Sequence, residues 1–183
     1  MRLRNIDISS VNVVRTSVEK VRLSAAMPID EAAFKLAMSH FASGVTVVTT
    51  EQAGRPYGMT VASFASLSLR PPLVLICIEK SVKTHEAIAA SGKFGVSMLS
   101  AAQADISSRF ASRADDKFSG IKTSRGALGI PLIADALTTL ECEVRDSLPG
   151  GDHTIFVGEV VDAVMREGVP LLYFRSGYHE MQR

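Results

Sequence analysis

The sequence predicts a mainly β fold with a few helices, in which antiparallel strands form a barrel. Residues 45–50 are all β-branched, a composition that a pleated sheet favours. Residues 139–145 alternate between polar and apolar side chains, and residues 153–164 return as a long strand after the turn-forming segment 148–152. Because the helical segments do not alternate regularly with the strands, an antiparallel barrel is favoured over a doubly wound parallel sheet.

Length and composition predict one domain. The chain has 183 residues, 46% of them hydrophobic, which is enough for one sizeable core and short for two. Residues 1–27 carry more basic than acidic side chains and lack the continuous apolar run of an export signal. We therefore expect a poorly ordered N-terminal extension over 1–27 and a single domain over 28–183.

Charge and cysteine usage limit the partners and the compartment. The formal net charge is +1, with 20 basic against 19 acidic residues, so the chain has no field that would gather nucleic acid or a membrane surface. No stretch approaches the 18 apolar residues of a membrane span. Cys77 and Cys142 stand in apolar or alternating runs without Cys-x-x-Cys spacing, which indicates buried, reduced thiols in a cytoplasmic protein.

The first elements are a helix and a hairpin. Asp30 is placed to cap the helix, and Gly44 ends it. Apolar residues at spacings of three and four give this helix a face that we expect to pack on the core. That face consists of Phe34, Ala37, Met38 and Phe41. Residues 45–50 then form a strand, residues 52–56 form a turn, and a second strand runs toward Ser63.

The next segment has the composition of a cofactor cradle. Residues 58–72 are mostly small or hydroxylated and end at a double proline, and residues 73–78 form an apolar strand. Small side chains leave backbone N–H groups within reach of a flat ligand. The segment therefore suits a ring that lies along the main chain.

A polar loop follows this strand and opens a helix. Ser81 is placed to cap a helix that reaches Ala90, with Thr84 inside its first turn, and Lys80 and Lys83 flank the start. Unpaired N–H groups and the helix dipole at such a position favour an anion such as phosphate. Taken alone, the segment favours an ordinary helix start with solvated lysines; the hydroxyl-rich strand before it is what favours a phosphate site.

The middle of the chain predicts three further elements. Gly92 ends the helix, residues 93–99 form a strand, residues 102–110 form a helix, and residues 112–118 form a mobile surface loop. The glycines that follow do not have Gly-x-Gly-x-x-Gly spacing, so a Rossmann dinucleotide site is excluded. They are Gly120, Gly126 and Gly129.

The last third is the clearest β pattern. Its period of two places one set of side chains in the core and the other in water. The buried set is Leu140, Cys142 and Val144, and the wet set is Thr139, Glu141, Glu143 and Arg145. Residues 170–174 add one more strand.

Several segments together carry a family resemblance. They are residues 41–49, residues 59–64 with Ser66, Ser68 and the double proline 71–72, residues 94–99, 109–111, 151–153 and 172–178. Their order and spacing resemble the short-chain flavin reductase family, in particular the reductase components of two-component flavin-dependent monooxygenases. The resemblance covers about residues 29–181. It implies an FMN-binding split β-barrel, a homodimer with flavin near the subunit interface, and reduction of FMN or FAD by NADH or NADPH for a separate oxygenase.

The resemblance also implies roles for individual residues. Backbone N–H groups of residues 60–63 would bind the pyrimidine edge of the flavin ring. Ser81 and Thr84 would hold the phosphate, and His153, oriented by Asp152, would position the nicotinamide. The expected cofactor-binding residues are Thr60, Val61, Ala62, Ser63, Ser66, Ser68, Ile78, Lys80, Ser81, Thr84, Ser97 and Tyr178. No metal site is expected, because His85-Glu86 lacks the second histidine of a zinc motif.

Two other functions stay open at this point. One is a split-barrel oxidase that keeps FMN as a prosthetic group, and the other is a non-catalytic flavin- or haem-binding module. Affinity separates the first from a reductase, because a diffusible flavin requires a dissociation constant of about 1 μM and a permanent cofactor one of about 1 nM. A binding module would not oxidise NADH when FMN is added.

Overall fold

The structure is a computed structural model that describes residues 28–181. The extension predicted over residues 1–27 lies outside the described residues. Three helices occur in this part of the chain: α1 (Glu31–Ser39), α2 (Lys83–Ser91) and α3 (Ala104–Ala111), the last preceded by a 3-10 turn at Ala101–Gln103. No helix within 28–181 has the length and apolar character needed to cross a membrane.

Twelve strands make up the rest of the regular structure in the described residues. They are β1 (Ser43–Gly44), β2 (Thr46–Gln52), β3 (Arg55–Val61), β4 (Phe64–Leu69), β5 (Pro72–Glu79), β6 (Lys93–Met98), β7 (Thr123–Arg125), β8 (Pro131–Ile133), β9 (Thr138–Gly150), β10 (His153–Met165), β11 (Leu171–Phe174) and β12 (Gly177–Glu180). The sequence patterns did not separate β1, β4, β7, β8 and β12. The strands from β2 to β10 that were predicted lie where the β-branched and alternating segments placed them.

All strand pairs are antiparallel, as predicted. The main sheet has seven strands in the order β3-β2-β6-β9-β10-β5-β4, and the smaller sheets are β1-β11-β12 and β7-β8. Val61 of β3 and Ile76 of β5 belong to one buried cluster with Phe94 and Phe156. Because strands near both ends of the main sheet share this core, the sheet curls around it as an open barrel.

Strand β2 separates two cores, because successive side chains of a strand point to opposite faces. Val48 packs into the barrel core, and Val47 packs into a second cluster that contains Phe110 of α3 and Leu171 of β11. Helix α3 and the C-terminal hairpin are therefore held on the outside of the barrel.

The expectation that α1 packs on the core of the chain is wrong. Asp30 does cap it, since its carboxylate accepts a hydrogen bond from the N–H of Ala33 at 2.8 Å. However, α1 has no buried residue, and Phe34, Leu36 and Phe41 are 54%, 65% and 71% exposed. The helix lies outside the barrel, and no described segment of the chain covers its apolar face.

The prediction that Glu141 faces water is also wrong. Its side chain is fully buried, and its two carboxylate oxygens accept hydrogen bonds from the N–H groups of Leu128 and Ile130 at 2.7 and 2.9 Å. Thr139 is buried as well. The segment before β8 covers the face of β9 that carries Thr139 and Glu141, which the alternating pattern of β9 alone assigns to solvent.

The two cysteines are free, as expected. Cys142 is buried, and its burial, together with the charge of Glu141, raises the pKa of its thiol to about 12. Cys77 is half-buried rather than buried, and burial raises the pKa of its thiol too. Both thiols are therefore poor nucleophiles near neutral pH.

Candidate functional site

A cleft with a volume of about 600 Å³ lies where three segments meet. Strand β3 contributes residues 55–60, the start of α2 contributes residues 81–84, and the segment after α3 contributes most of residues 110–118. The predicted cradle therefore forms only part of the cleft. The remaining wall comes from the segment that the sequence marked as a surface loop, and whether that loop is mobile stays a prediction.

Three of the predicted cofactor-binding residues line this cleft, namely Thr60, Ser81 and Thr84. Thr60 Oγ donates a hydrogen bond to the carbonyl oxygen of Ser107 at 2.6 Å, which ties the cleft strand to α3. Thr84 is buried in the first turn of α2. Of the hydroxyl-rich run, Thr60 meets the helix start in this cleft, whereas Ser63, Ser66 and Ser68 are not among its lining residues.

The expectation that Ser81 caps α2 is wrong. The helix begins at Lys83, its N-cap residue is Val82, and no side chain of the described residues bonds the cap position. Ser81 Oγ instead donates a hydrogen bond to the carboxylate of Glu79. Lys83 and Thr84 of the first turn line the cleft, and the N–H groups of this turn have no side-chain cap within the described residues. An anion is the partner that such groups bind best.

The charges around the cleft are mainly positive. Its cationic side chains are Arg55, Lys83, Arg113 and Lys117, and its carboxylates are Glu79 and Asp115. Lys83 Nζ lies 3.4 Å from Asp115 Oδ1, but both side chains are largely exposed, so the pair is weak. The cleft therefore offers more positive than negative charge to a ligand.

Lys80 lies at the end of β5 and does not line the cleft. Its ammonium donates to the carbonyl oxygen of Gly151 at 2.6 Å, and its backbone N–H donates to the carbonyl oxygen of Asp152 at 3.0 Å. These two bonds fasten β5 to the β9–β10 turn. Of the two lysines predicted to flank the helix start, Lys83 is the one beside the cleft.

His153 is the first residue of β10 and pairs with Glu79 in the sheet register. Its Nδ1 lies 2.8 Å from Asp152 Oδ1. This hydrogen bond and the charge of the imidazole hold the pKa of the fully exposed Asp152 carboxyl below its ordinary value. The bond that would orient His153 is therefore present, but His153 is not among the residues that line the cleft.

Three predicted residues belong to the interior. Val61 and Ile78 are part of the barrel core. Ser97 is fully buried, and its Oγ accepts a hydrogen bond from the N–H of Ile133 at 3.0 Å. None of the three is among the residues that line the cleft, so their side chains have structural roles.

The other predicted residues lie outside the large cleft. Ala62 lines a separate, apolar cavity of about 310 Å³ with Phe64 and Met98. Ser63 and Ser66 are exposed, and Ser68 is half-buried, with its Oγ accepting a hydrogen bond from the N–H of Arg70 at 3.2 Å. Tyr178 bonds the hydroxyl of Ser107 at 2.8 Å.

Sequence reasoning missed Lys117. This residue lines the cleft, and partial burial lowers the pKa of its ammonium group. The signal that could have found it is the preceding Asp116, whose Oδ1 accepts hydrogen bonds from the N–H groups of Phe118 and Ser119 at 3.1 and 3.0 Å. Aspartate commonly stabilises a turn in this way, so Asp-Lys-Phe can be interpreted as a fixed turn.

Comparison with known proteins gives the family. A family model described as "Flavin reductase like domain" matches residues 38–182. The chain belongs to this family. The family resemblance that the order and spacing of the sequence segments indicated is confirmed. The prediction of a mainly antiparallel split-barrel fold is confirmed as well.

Individual members of the flavin reductase family are similar over most of their length. The reductase component of a Rhodococcus opacus 4-nitrophenol 4-monooxygenase/4-nitrocatechol 2-monooxygenase is 39% identical over 160 residues, covering 87% of this chain and 86% of its own. The NADH-dependent flavin reductase StyB of Pseudomonas fluorescens is 38% identical, with 87% and 95% covered. The structure of the Streptomyces globisporus NADH:FAD oxidoreductase SgcE6 with NAD and FAD fragments superposes with a TM-score of 0.79 at 38% identity, with 86% and 98% covered.

Proposed function

We propose that this protein is an NAD(P)H:flavin oxidoreductase that reduces FMN or FAD and supplies the reduced flavin to a partner monooxygenase. The observation that carries the proposal is the cleft itself. It combines an uncapped helix start, the hydroxyls of Ser81 and Thr84 and an excess of cationic side chains, all within the residues that match the flavin reductase family.

The residues of the cleft fit the phosphate of a flavin nucleotide. The N–H groups of the first turn of α2 and the hydroxyl group of Thr84 would donate hydrogen bonds to it, and Ser81 would do so by exchanging its bond to the Glu79 carboxylate for one to the phosphate. Lys83 would exchange its weak pairing with Asp115 for the phosphate. The strand that carries Thr60 would lie beside the ring, and the backbone N–H groups proposed for its pyrimidine edge, those of residues 60–63, begin in the cleft at Thr60 and continue beyond its lining.

A bound flavin supplies the electron-accepting ring, which takes a hydride from the nicotinamide. For such a transfer the protein chiefly has to hold two rings in contact, and no general base is essential. His153 would place the nicotinamide, and Asp152 would fix the direction of its imidazole ring through the 2.8 Å hydrogen bond. The protein's contribution is therefore orientation and charge.

A homodimer is part of the proposal. Five apolar side chains of the α1 region are half or more exposed in the single chain: Ile29, Phe34, Leu36, Met38 and Phe41. A second copy of the chain would remove them from water, which is the main driving force for stable association. The flavin would then lie near the subunit interface.

The names of the relatives support the partner and the electron donor. The Rhodococcus opacus relative is named as the reductase component of a monooxygenase, and StyB is named as NADH-dependent. We extend both properties to this protein, with a cytoplasmic location where reduced nicotinamide is available and free thiols persist.

Steady-state and binding measurements test the function. We expect the purified protein to oxidise NADH only when FMN, FAD or riboflavin is added, and to bind flavin with a dissociation constant of about 1 μM, corresponding to about −8 kcal/mol. Yellow colour that survives gel filtration would favour the oxidase with tightly held FMN. Flavin binding without NADH oxidation would favour a binding module.

A further inference from the structure

Lys117 is a cleft residue to which the proposed function gives no role. Its Nζ donates hydrogen bonds to the carbonyl oxygens of Phe110 at 2.9 Å and of Gly58 at 3.3 Å. An ammonium group has three N–H donors, and these two acceptors use two of them. One donor is therefore left for a ligand in the cleft.

The position of Lys117 is fixed from both sides. Asp116 accepts the N–H groups of the two residues that follow Lys117, which defines the turn. The ring of Phe118 packs edge-on against the ring of Phe110, with centroids 5.0 Å apart. The backbone on each side of Lys117 is thus anchored, and its ammonium group lies at a defined place in the cleft wall. Such preorganisation lowers the entropic cost of binding a ligand.

The charge of Lys117 is not compensated by the described part of the chain. Within residues 28–181, no carboxylate oxygen lies within 4.0 Å of its Nζ, whereas Lys83 has Asp115. Burial lowers the pKa of Lys117, because the charged form loses water and gains no opposite charge. An anion that enters the cleft would supply the missing partner.

We propose that Lys117 binds a phosphate group of a nucleotide in this cleft. The inference rests on the proposed function, because it assumes that flavin and nicotinamide nucleotides are the ligands. Phosphate fits better than a carboxylate, because Lys117 and the first turn of α2 line the same cleft and both favour the charge and terminal oxygens of a phosphate, three in a monoester and two on each phosphorus of a pyrophosphate. The phosphate belongs either to the flavin nucleotide or to the pyrophosphate of the nicotinamide dinucleotide.

Binding measurements on a neutral variant test the proposal and separate the two sources. Lys117→Met keeps most of the side-chain length and removes the charge. We expect its affinity for one phosphate-bearing ligand to fall about tenfold or more, as expected when a charge-assisted hydrogen bond is lost. If the variant binds FMN more weakly and riboflavin as tightly as before, Lys117 binds the flavin phosphate. If it binds NADH more weakly and FMN as tightly as before, Lys117 binds the pyrophosphate of the dinucleotide. Lys122→Met is the matched control, because Lys122 is an exposed lysine at 3.9 Å from Asp135 and outside the cleft.

Two results would overturn the proposal. One is that Lys117→Met binds FMN, FAD and NADH as tightly as the unaltered protein, and the other is that it loses FMN and riboflavin equally. If this variant does not fold, Lys117→Gln takes its place, because the amide can still donate to the carbonyls of Phe110 and Gly58 without the charge. Failure of the unaltered protein to bind any flavin would instead reject the proposed function, and with it the basis of this inference.

Discussion

The phenol oxygen of Tyr178 lies 2.8 Å from Oγ of Ser107, a fully buried residue of α3. The carbonyl oxygen of the same serine accepts the hydrogen bond from Thr60 in the cleft wall. Ser107 therefore joins the C-terminal hairpin β11–β12 to the strand that is proposed to lie beside the flavin ring. This relationship gives Tyr178 a structural role beside the predicted contact with the cofactor.

Replacing Tyr178 by Phe should lower the free energy of unfolding by about 1 kcal/mol, because the buried Ser107 hydroxyl loses its partner. Urea unfolding followed by circular dichroism measures this change. Tyr173→Phe is the matched control, since Tyr173 is a neighbouring tyrosine of the same hairpin with a similar exposure of 37% against 38%. Equal loss of stability in the two variants would show that the 2.8 Å contact has no specific effect.

Replacing Gly58 by Ala should destabilise the wall of the cleft. A Cβ atom at this position would lie 2.8 Å from Cε1 of Phe110 and 3.2 Å from Cζ of Phe118. Such overpacking costs about 1–3 kcal/mol, measurable as a lower midpoint of urea unfolding. Gly44→Ala is the control, because a Cβ there has no neighbour within 4 Å. A midpoint for Gly58→Ala equal to that of the control would contradict the described packing.

Replacing Ser81 and Thr84 together by Ala should weaken the binding of FMN by about tenfold or more. The binding of riboflavin, which has no phosphate, should be nearly unaffected. The reason is the loss of two hydroxyl donors at the anion site, each worth about 0.5–1.5 kcal/mol. Fluorescence titration of both flavins with the same variant measures the difference, so riboflavin is the internal control. Equal losses of affinity for the two ligands would show that the phosphate binds in another part of the cleft.

Replacing His153 by Ala should raise the Michaelis constant for NADH far more than that for flavin. Steady-state kinetics with each substrate varied in turn measures the two constants. His179→Ala is the control, because His179 is an exposed histidine of β12 whose Nε2 lies 3.2 Å from the carbonyl oxygen of Phe174. An unchanged Michaelis constant for NADH in His153→Ala would contradict the role of His153 in placing the nicotinamide.

The pKa of Asp152 adds a pH condition to that experiment. Because His153 lowers this pKa, the ionised carboxylate is favoured in the folded protein. The stabilisation that the ionised Asp152 gives the folded protein is present at neutral pH. It is lost only as the pH falls below about 4, the ordinary range of an aspartate pKa. Between pH 6 and 8, Asp152 should therefore stay ionised, and the dependence on NADH should not change through its titration.

Replacing Phe34 and Phe41 by Lys should dissociate the proposed homodimer. Burying each Phe contributes about 1.5–3 kcal/mol, so the dimer dissociation constant should rise about 100-fold or more. Sedimentation equilibrium measures the mass, with the single chain at 19.6 kDa. Lys35→Ala is the control, since Lys35 lies in α1 but pairs with Glu31 in an exposed i,i+4 ion pair. A monomeric mass for the unaltered protein at micromolar concentration would reject the dimer.

The sequence by itself determined the family, the main turns and the strands with the strongest local patterns. β-branched and alternating runs act over a few neighbouring residues, so they predict β2, β6 and the β9–β10 hairpin without reference to the rest of the chain. Gly92 was a reliable helix end for the same local reason, since its φ of 66° suits glycine. The ordered motifs of the flavin reductase family are likewise read directly from the printed chain.

Only the tertiary structure decided which side chains share the cleft. Gly58 and Lys117 are 59 positions apart in sequence and meet at 3.3 Å, and no local pattern encodes such a contact. Glu141 is buried because the segment before β8, which lies outside its own strand, folds over it. The apolar face of α1 is left exposed because no described segment covers it. Local patterns report the preferences of a single element, whereas burial and hydrogen-bond partners depend on how all the elements pack together.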